Sequence, residues 1–79
     1  MDTAEIYAKM TDVMRDVFDD PNLVAAPELT AKQVDGWDSL AHIRLVLSIE
    51  KTFRVKFSAA DISKLKNVGE FVSLIQSKL

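Results

Sequence analysis

The feature that most constrains the fold is the run from Ser39 to Phe53, which contains neither glycine nor proline and separates into two faces at helical spacing. The residues that share the apolar side are Val46, Ile49 and Phe53, flanked by Ile43 and Leu45. Asp38 stands directly before the run, and aspartate is a favoured N-cap because its carboxylate accepts hydrogen bonds from free backbone N–H groups. The run therefore predicts an amphipathic helix that begins at Ser39.

Three further segments also show helical periodicity. Asp2 to Phe18 predicts a first helix with an apolar stripe at Ile6, Met10, Val13 and Val17. A short third element is marked by Phe57, Ile62 and Leu65, and a last helix by Val68, Phe71, Val72, Ile75 and Leu79. No stretch alternates long enough to indicate a strand. The predicted fold is all-α: a small four-helix bundle with three main helices and a short third helix.

The first two predicted helices are separated by a long loop, Asp19 to Trp37, which contains Pro21, Pro27 and Gly36. Connections of this length are uncommon in compact domains and are usually functional or partly structured. A plainer interpretation is a spacer that lets the first two helices pack antiparallel. We expect the apolar loop residues to pack against the helices: Leu23, Val24, Leu29 and Val34.

Size and composition exclude several classes of protein. Seventy-nine residues predict a single domain, 1–79, that is too small for both a core and a deep catalytic cleft, so we expect no enzyme activity. There is no cysteine and only one histidine, which predicts no metal site. No apolar run approaches the roughly 20 residues that span a bilayer, and no signal-peptide pattern is present. We expect a cytoplasmic monomer.

The charge of the chain is unevenly distributed along the sequence. Residues 1–38 hold nine acidic and three basic residues, whereas residues 39–79 hold three acidic and seven basic residues, for a net charge of −2. This asymmetry predicts a polarised surface unless folding interleaves the two halves.

Ser39 lies in the first turn of the predicted helix, where its hydroxyl can carry a chemical modification. In the first turn of a helix, free N–H groups and the helix dipole stabilise an attached anion. Asp38-Ser39-Leu40 at the head of an amphipathic helix, in a short acidic chain, resembles the acyl carrier protein family. The alternative is an ordinary helix start in an unrelated bundle. The resemblance implies 4′-phosphopantetheine attached covalently to Ser39, with Asp38 and Leu40 helping to present the serine.

The resemblance also implies function and partners. Members shuttle thioester-bound acyl intermediates between enzymes in fatty acid, polyketide or specialised acyl biosynthesis. A phosphopantetheinyl transferase would modify the chain, and acyl-loading, condensing or acyltransferase enzymes would use it. An aminoacyl or peptidyl carrier is the alternative within this class. Helices two and three can part to shelter an acyl chain, and our candidates for lining that space are Ile43, Leu47, Ile62 and Leu65.

A second stripe on the Ser39–Phe53 helix alternates leucines with cations: Leu40, Arg44, Leu47 and Lys51. A mixed stripe of this kind predicts a surface strip for docking a partner, although a solvated face with two incidental leucines is the plainer interpretation. The family usually carries acidic residues here, which pair with basic patches on enzymes. Arg44 and Lys51 therefore favour a dedicated partner with an acidic or apolar receptor surface.

Two other classes of function compete. A helical interaction module could use the same strip with no prosthetic group. A nucleic-acid binder could use the cations Arg44, Lys51, Arg54, Lys56, Lys64 and Lys66, but overall acidity opposes phosphate binding, so we expect no nucleic-acid partner. His42 has no second titratable group at helical spacing, which favours a packed or edge histidine over a ligand or general base.

Overall fold

The computed structural model describes residues 1–79 and contains four α-helices and one turn of 3₁₀ helix. The helices are α1 (Thr3–Phe18), α2 (Ser39–Phe53), α3 (Ala59–Lys64) and α4 (Val68–Lys78), and the 3₁₀ turn is Ala31–Gln33. The only β-type pairing is an isolated bridge between Thr30 and Asn67. The all-α prediction, including the short third helix and the long first loop, is confirmed. None of these helices has both the length and the apolar character required to cross a lipid bilayer.

Polar side chains define where the helices begin. Asp2 caps α1 by accepting a hydrogen bond from the Glu5 backbone N–H (2.9 Å), and Asn67 caps α4 in the same way. Ser58 and Asp61 form a complete capping box at the start of α3, since each side chain accepts from the other's backbone N–H. These caps satisfy N–H groups that have no partner within the helix, which fixes the first turn of each helix.

The directions of the helices follow from contacts at their ends. The Phe18 and Trp37 rings lie 5.7 Å apart, which places the end of α1 beside the start of α2. The Gln76 side chain donates to the Thr3 hydroxyl (2.8 Å), which joins the end of α4 to the start of α1. α1 therefore runs antiparallel to both α2 and α4.

A single hydrophobic cluster of 18 buried residues fills the space between α1, α2 and α4. Its largest fully buried members are Phe71, Ile6, Met10, Met14, Leu45, Ile49, Ile75 and Val68. Two residues expected on the apolar stripes are instead exposed: Ile43 and Leu79. Leu79 follows the last turn of α4, where no element packs over it, and Ile43 faces α3, which has six residues and leaves it uncovered.

The long loop is attached to both α1 and α4. Leu23 and Val34 are buried and Leu29 is half-buried, as expected, but Val24 is exposed. Its neighbours Leu23 and Ala25 are both buried, which leaves Val24 facing solvent between them in a segment without regular structure. The carbonyls of Pro27 and Leu29 accept hydrogen bonds from Gly69 and Val68 (both 3.0 Å), which are first-turn N–H groups of α4. The loop therefore serves as part of the N-terminal cap of the last helix.

Candidate functional site

Ser39 is the first residue of α2, and its side chain is exposed. The Asp38 carboxylate accepts a hydrogen bond from the Ala41 backbone N–H (2.9 Å), and the Asp38 carbonyl accepts one from His42 (2.9 Å). No hydrogen bond engages the Ser39 hydroxyl. The cap is therefore supplied by Asp38, as its position predicts, and the neighbouring serine oxygen is left accessible.

The turn before Ser39 depends on Gly36. Its φ of 84° lies in a region that L-residues rarely adopt, and its carbonyl accepts a hydrogen bond from the Asp38 N–H (3.0 Å). A Cβ built on Gly36 would meet nothing within 4 Å. Glycine is needed here for the backbone conformation and not for space.

Trp37 anchors this turn to the bundle. The indole is buried, and it contacts the rings of Phe18 from α1 and Phe71 from α4, at centroid distances of 5.7 and 6.4 Å. The His42 ring lies nearly parallel to it, with centroids 6.2 Å apart and an 18° angle between the planes. Trp37 therefore fixes the chain on one side of Asp38 while the helix fixes it on the other.

Both ring nitrogens of His42 have partners. The Trp37 indole Nε1–H donates to His42 Nδ1 (3.2 Å), and His42 Nε2 lies 3.4 Å from the Ile62 carbonyl oxygen. A neutral imidazole with its proton on Nε2 satisfies both bonds, a tautomer assigned here from the hydrogen-bond network. His42 is half-buried and ties the start of α2 to α3. This is the packed histidine that the sequence predicted.

An open depression of about 880 Å³ lies beside Ser39, between α2 and α3. Its lining residues are Ala31, Trp37, Asp38, Ser39, His42, Ile43, Ala59, Ile62, Ser63 and Leu65. It brings together three of the four candidates for lining an acyl site, Ile43, Ile62 and Leu65. The fourth, Leu47, lies outside it and lines a separate depression of about 440 Å³ near the end of α2. A place for Leu47 in an acyl site therefore stays a prediction, which the depression beside Ser39 does not support.

The predicted strip on α2 lies at the surface. Leu40 is 68% exposed and Leu47 59% exposed, and both Arg44 and Lys51 are exposed. Ile43, at 54%, belongs to the same surface, which sequence analysis missed by assigning it to the core flank. The spacing of three and four residues between Leu40, Ile43 and Leu47 was the signal that could have identified it.

Charges separate on the folded surface as they do in the sequence. Asp12, Asp16, Asp19 and Asp20 line one depression at the end of α1 together with Arg15 and Pro21. Lys51, Arg54 and Lys56 line the depression at the end of α2. Because α1 and α2 are antiparallel, these two groups lie toward opposite ends of the bundle.

Asp61, which lines a depression between α3 and α4, has a carboxyl whose pKa is lowered. Hydrogen bonds from the Ser58 backbone and side chain lower the pKa of the Asp61 carboxyl, and the Lys78 ammonium, 3.6 Å away, adds a smaller effect in the same direction. The capping box therefore favours the ionised carboxylate at the start of α3.

An all-α domain of this size with an unengaged serine at a capped helix start has the organisation of a carrier protein. No protein-family model matches the chain. It is 35% identical over 77 residues to the acyl carrier protein of Thermotoga maritima, a match that covers 95% of this chain and 93% of that protein. A solution structure of the holo acyl carrier protein from Geobacter metallireducens superposes with a TM-score of 0.87 at 38% identity, covering 92% of this chain and 84% of that one. The chain therefore belongs to the acyl carrier protein family, whose members are non-catalytic carriers.

Proposed function

We propose that Ser39 carries a 4′-phosphopantetheine group and that the protein moves thioester-bound acyl groups between partner enzymes. The observation that supports this most directly is the exposed Ser39 hydroxyl, free of hydrogen bonds, in the first turn of α2. A phosphopantetheinyl transferase would join this oxygen to the phosphate of the arm: the hydroxyl loses its proton, the pyrophosphate bond of coenzyme A breaks, and adenosine 3′,5′-bisphosphate leaves. The holo form of the Geobacter metallireducens relative is in keeping with this role.

The backbone around Ser39 fits an attached phosphate. The N–H groups of Ser39 and Leu40 precede any intrahelical acceptor and take part in no hydrogen bond, whereas Ala41 and His42 are satisfied by Asp38. Two free donors and the positive end of the helix dipole therefore surround the serine oxygen. Asp38 acts through the backbone, by holding this turn, and Leu40 is exposed next to the serine for contact with a modifying enzyme.

The depression between α2 and α3 fits the cargo. It opens at Ser39, and the side chains of Ile43, Ile62 and Leu65 supply apolar surface for an acyl group. A phosphopantetheine arm supplies a thiol that forms a thioester, which is more reactive toward nucleophiles than an ordinary ester. The residues of the depression would shelter that group between encounters with acyl-loading, condensing or acyltransferase enzymes of fatty acid, polyketide or specialised acyl biosynthesis.

Intact-mass measurement after incubation with coenzyme A and a broad-specificity transferase tests the proposal. We expect one phosphopantetheinyl group on the wild type and none on Ser39→Ala. Ser73→Ala, which removes an exposed serine from α4, is the matched control and should be modified as the wild type is. A wild-type protein that gains no mass, with a folded circular dichroism spectrum, would instead indicate an interaction module without a prosthetic group.

A further inference from the structure

The exposed surface of α2 combines apolar and cationic side chains. We define the docking face as Leu40, Ile43, Arg44, Leu47 and Lys51. Its three aliphatic residues are all more than half exposed and lie on adjacent turns. At 1.5 Å of rise per residue they extend about 10 Å along the helix from the turn that carries Ser39. An apolar patch of this kind, unlike scattered single residues, indicates a site of contact with another molecule.

The positive charge of this face has no counterpart within the chain. The one ion pair of the protein joins Lys78 to Asp61, on α4 and α3. Glu50 is the only acidic residue of α2, and its carboxylate accepts a hydrogen bond from the Phe57 backbone N–H (2.8 Å). Arg44 and Lys51 are therefore free to pair with an external acid.

The cationic surface continues beyond the docking face. Arg54 and Lys56, at the end of α2, line the same depression as Leu47 and Lys51, and neither forms an ion pair. A molecule lying along α2 toward the end of the helix would meet the apolar residues and Arg44 first and then the cations of this depression, in which Glu50 is the one acidic residue.

We propose that the docking face binds a partner enzyme whose receptor surface is an apolar cleft bordered by Asp and Glu side chains. This inference rests on the carrier function proposed for Ser39. Complementary charge steers encounter and discriminates against partners with like charge, so an enzyme with a basic receptor surface is disfavoured. Because the face begins beside Ser39, binding there brings the partner's active site within reach of the modified serine.

A membrane surface or a nucleic acid is a poorer fit to the same residues. The docking face contains no aromatic side chain of the kind that anchors interfacial helices. The protein as a whole has a charge of −2, and the acidic depression at the end of α1 would be repelled by a polyanion. A protein cleft contacts one face only and therefore avoids that repulsion.

A charge-swap experiment tests the inference on the intact protein. The probes are a phosphopantetheinyl transferase chosen for a basic carrier-facing surface and a form of it in which those basic residues are replaced by Glu. At low ionic strength we expect the Glu-substituted transferase to modify the wild-type carrier with a kcat/KM about tenfold higher than the basic transferase does. The Arg44→Glu/Lys51→Glu variant should show the opposite preference, and salt should reduce both preferences.

The Lys9→Glu/Lys64→Glu variant is the matched control, since it changes net charge equally at α1 and at the α3–α4 depression. It should keep the wild-type preference. The inference would be overturned if the wild type and Arg44→Glu/Lys51→Glu showed the same transferase preference. It would also be overturned if the control variant changed its preference as much as Arg44→Glu/Lys51→Glu does. Binding of the wild type to phosphatidylcholine/phosphatidylglycerol vesicles, lost in Arg44→Glu/Lys51→Glu, would assign the face to a membrane and also overturn it.

Failure of the carrier function would look different, because neither transferase would modify Ser39. In that case titration of ¹⁵N-labelled protein with a helical leucine peptide flanked by glutamates decides the question. Shifts confined to the amides of α2, absent with a second leucine peptide flanked by lysines instead of glutamates and lost in Arg44→Glu/Lys51→Glu, would support the docking face. Equal shifts with both peptides, or shifts elsewhere only, would refute it.

Discussion

Replacing His42 with alanine tests the link between the serine turn and the rest of the bundle. The imidazole accepts a hydrogen bond from the buried Trp37 indole, lies 3.4 Å from the Ile62 carbonyl oxygen, and contacts the rings of Trp37 and Phe71. His42→Ala removes all of these interactions at once. It leaves the Trp37 Nε1–H facing an open depression, where water can replace the lost acceptor in part.

The expected loss of stability follows from these contacts. The indole hydrogen bond contributes about 1 kcal/mol when water can compensate in part. The aromatic contacts contribute about 0.5–1.5 kcal/mol. Alanine recovers about 0.5 kcal/mol through its higher helix propensity. The net destabilisation is therefore about 1–2 kcal/mol, or a decrease in Tm of roughly 4–16 °C for a domain of this size.

Urea unfolding followed by circular dichroism measures the change, and the fluorescence of Trp37, the only tryptophan, reports on its surroundings. His42→Phe keeps an aromatic ring without an acceptor and should lose about 1 kcal/mol. In a double-mutant cycle, His42→Ala should cost about 1 kcal/mol less in a Trp37→Phe background, where the donor is absent. Strict additivity of the two changes, or a loss below about 0.3 kcal/mol for His42→Ala, would refute the role assigned to this bond.

Three further predictions concern α3 and α4. Ser58→Ala should raise the pKa of Asp61 only part of the way toward its ordinary value, measured by NMR titration of the carboxyl carbon, because the side-chain contribution of Ser58 is lost while the larger one, from its backbone N–H, remains; a full return to the ordinary value would contradict the role of that backbone hydrogen bond. Because the pKa of Asp61 is lower in the folded state, its ionised carboxylate stabilises the fold above the unfolded-state pKa, and this contribution is lost as pH falls through the folded-state pKa. Asp61→Asn should therefore remove this contribution to the loss of stability in acid, measured by urea unfolding as a function of pH. Gly69→Ala should not increase the free energy of unfolding by the roughly 1 kcal/mol expected for alanine in a helix, because its Cβ would lie 3.0 Å from the Pro27 carbonyl oxygen. A full increase, measured by urea unfolding, would show that the loop moves away from the new Cβ without cost.

The helices could be predicted from the sequence because each carries its own signals. Asp38 before the apolar run located the start of α2 at Ser39, and the periodicity of the run located its end at Phe53. These features act between residues a few positions apart, so the sequence contains them directly. The exposure of Ser39 followed from the same local geometry.

What could not be predicted depends on contacts between distant segments. Ile43 lies on the edge of the apolar arc, and its exposure depends on how α3 packs beside α2, where an open depression remains. The bond from Trp37 to His42 and the contact from His42 to Ile62 join three segments whose packing no periodicity specifies. The expectation that Val24 packs against the helices was wrong, because the direction of a loop side chain depends on which neighbouring side chains are buried in the core.

The hydrogen bonds from Val68 and Gly69 to the first loop have a consequence for the order in which the protein is made. The loop that leads to Ser39 is closed by the first turn of α4, which leaves the ribosome after Ser39 does. A nascent chain that has emerged only as far as α3 holds the serine in a segment whose partners have not yet been synthesised. A modifying enzyme that required the finished turn would therefore act only after α4 had been synthesised and had closed the loop.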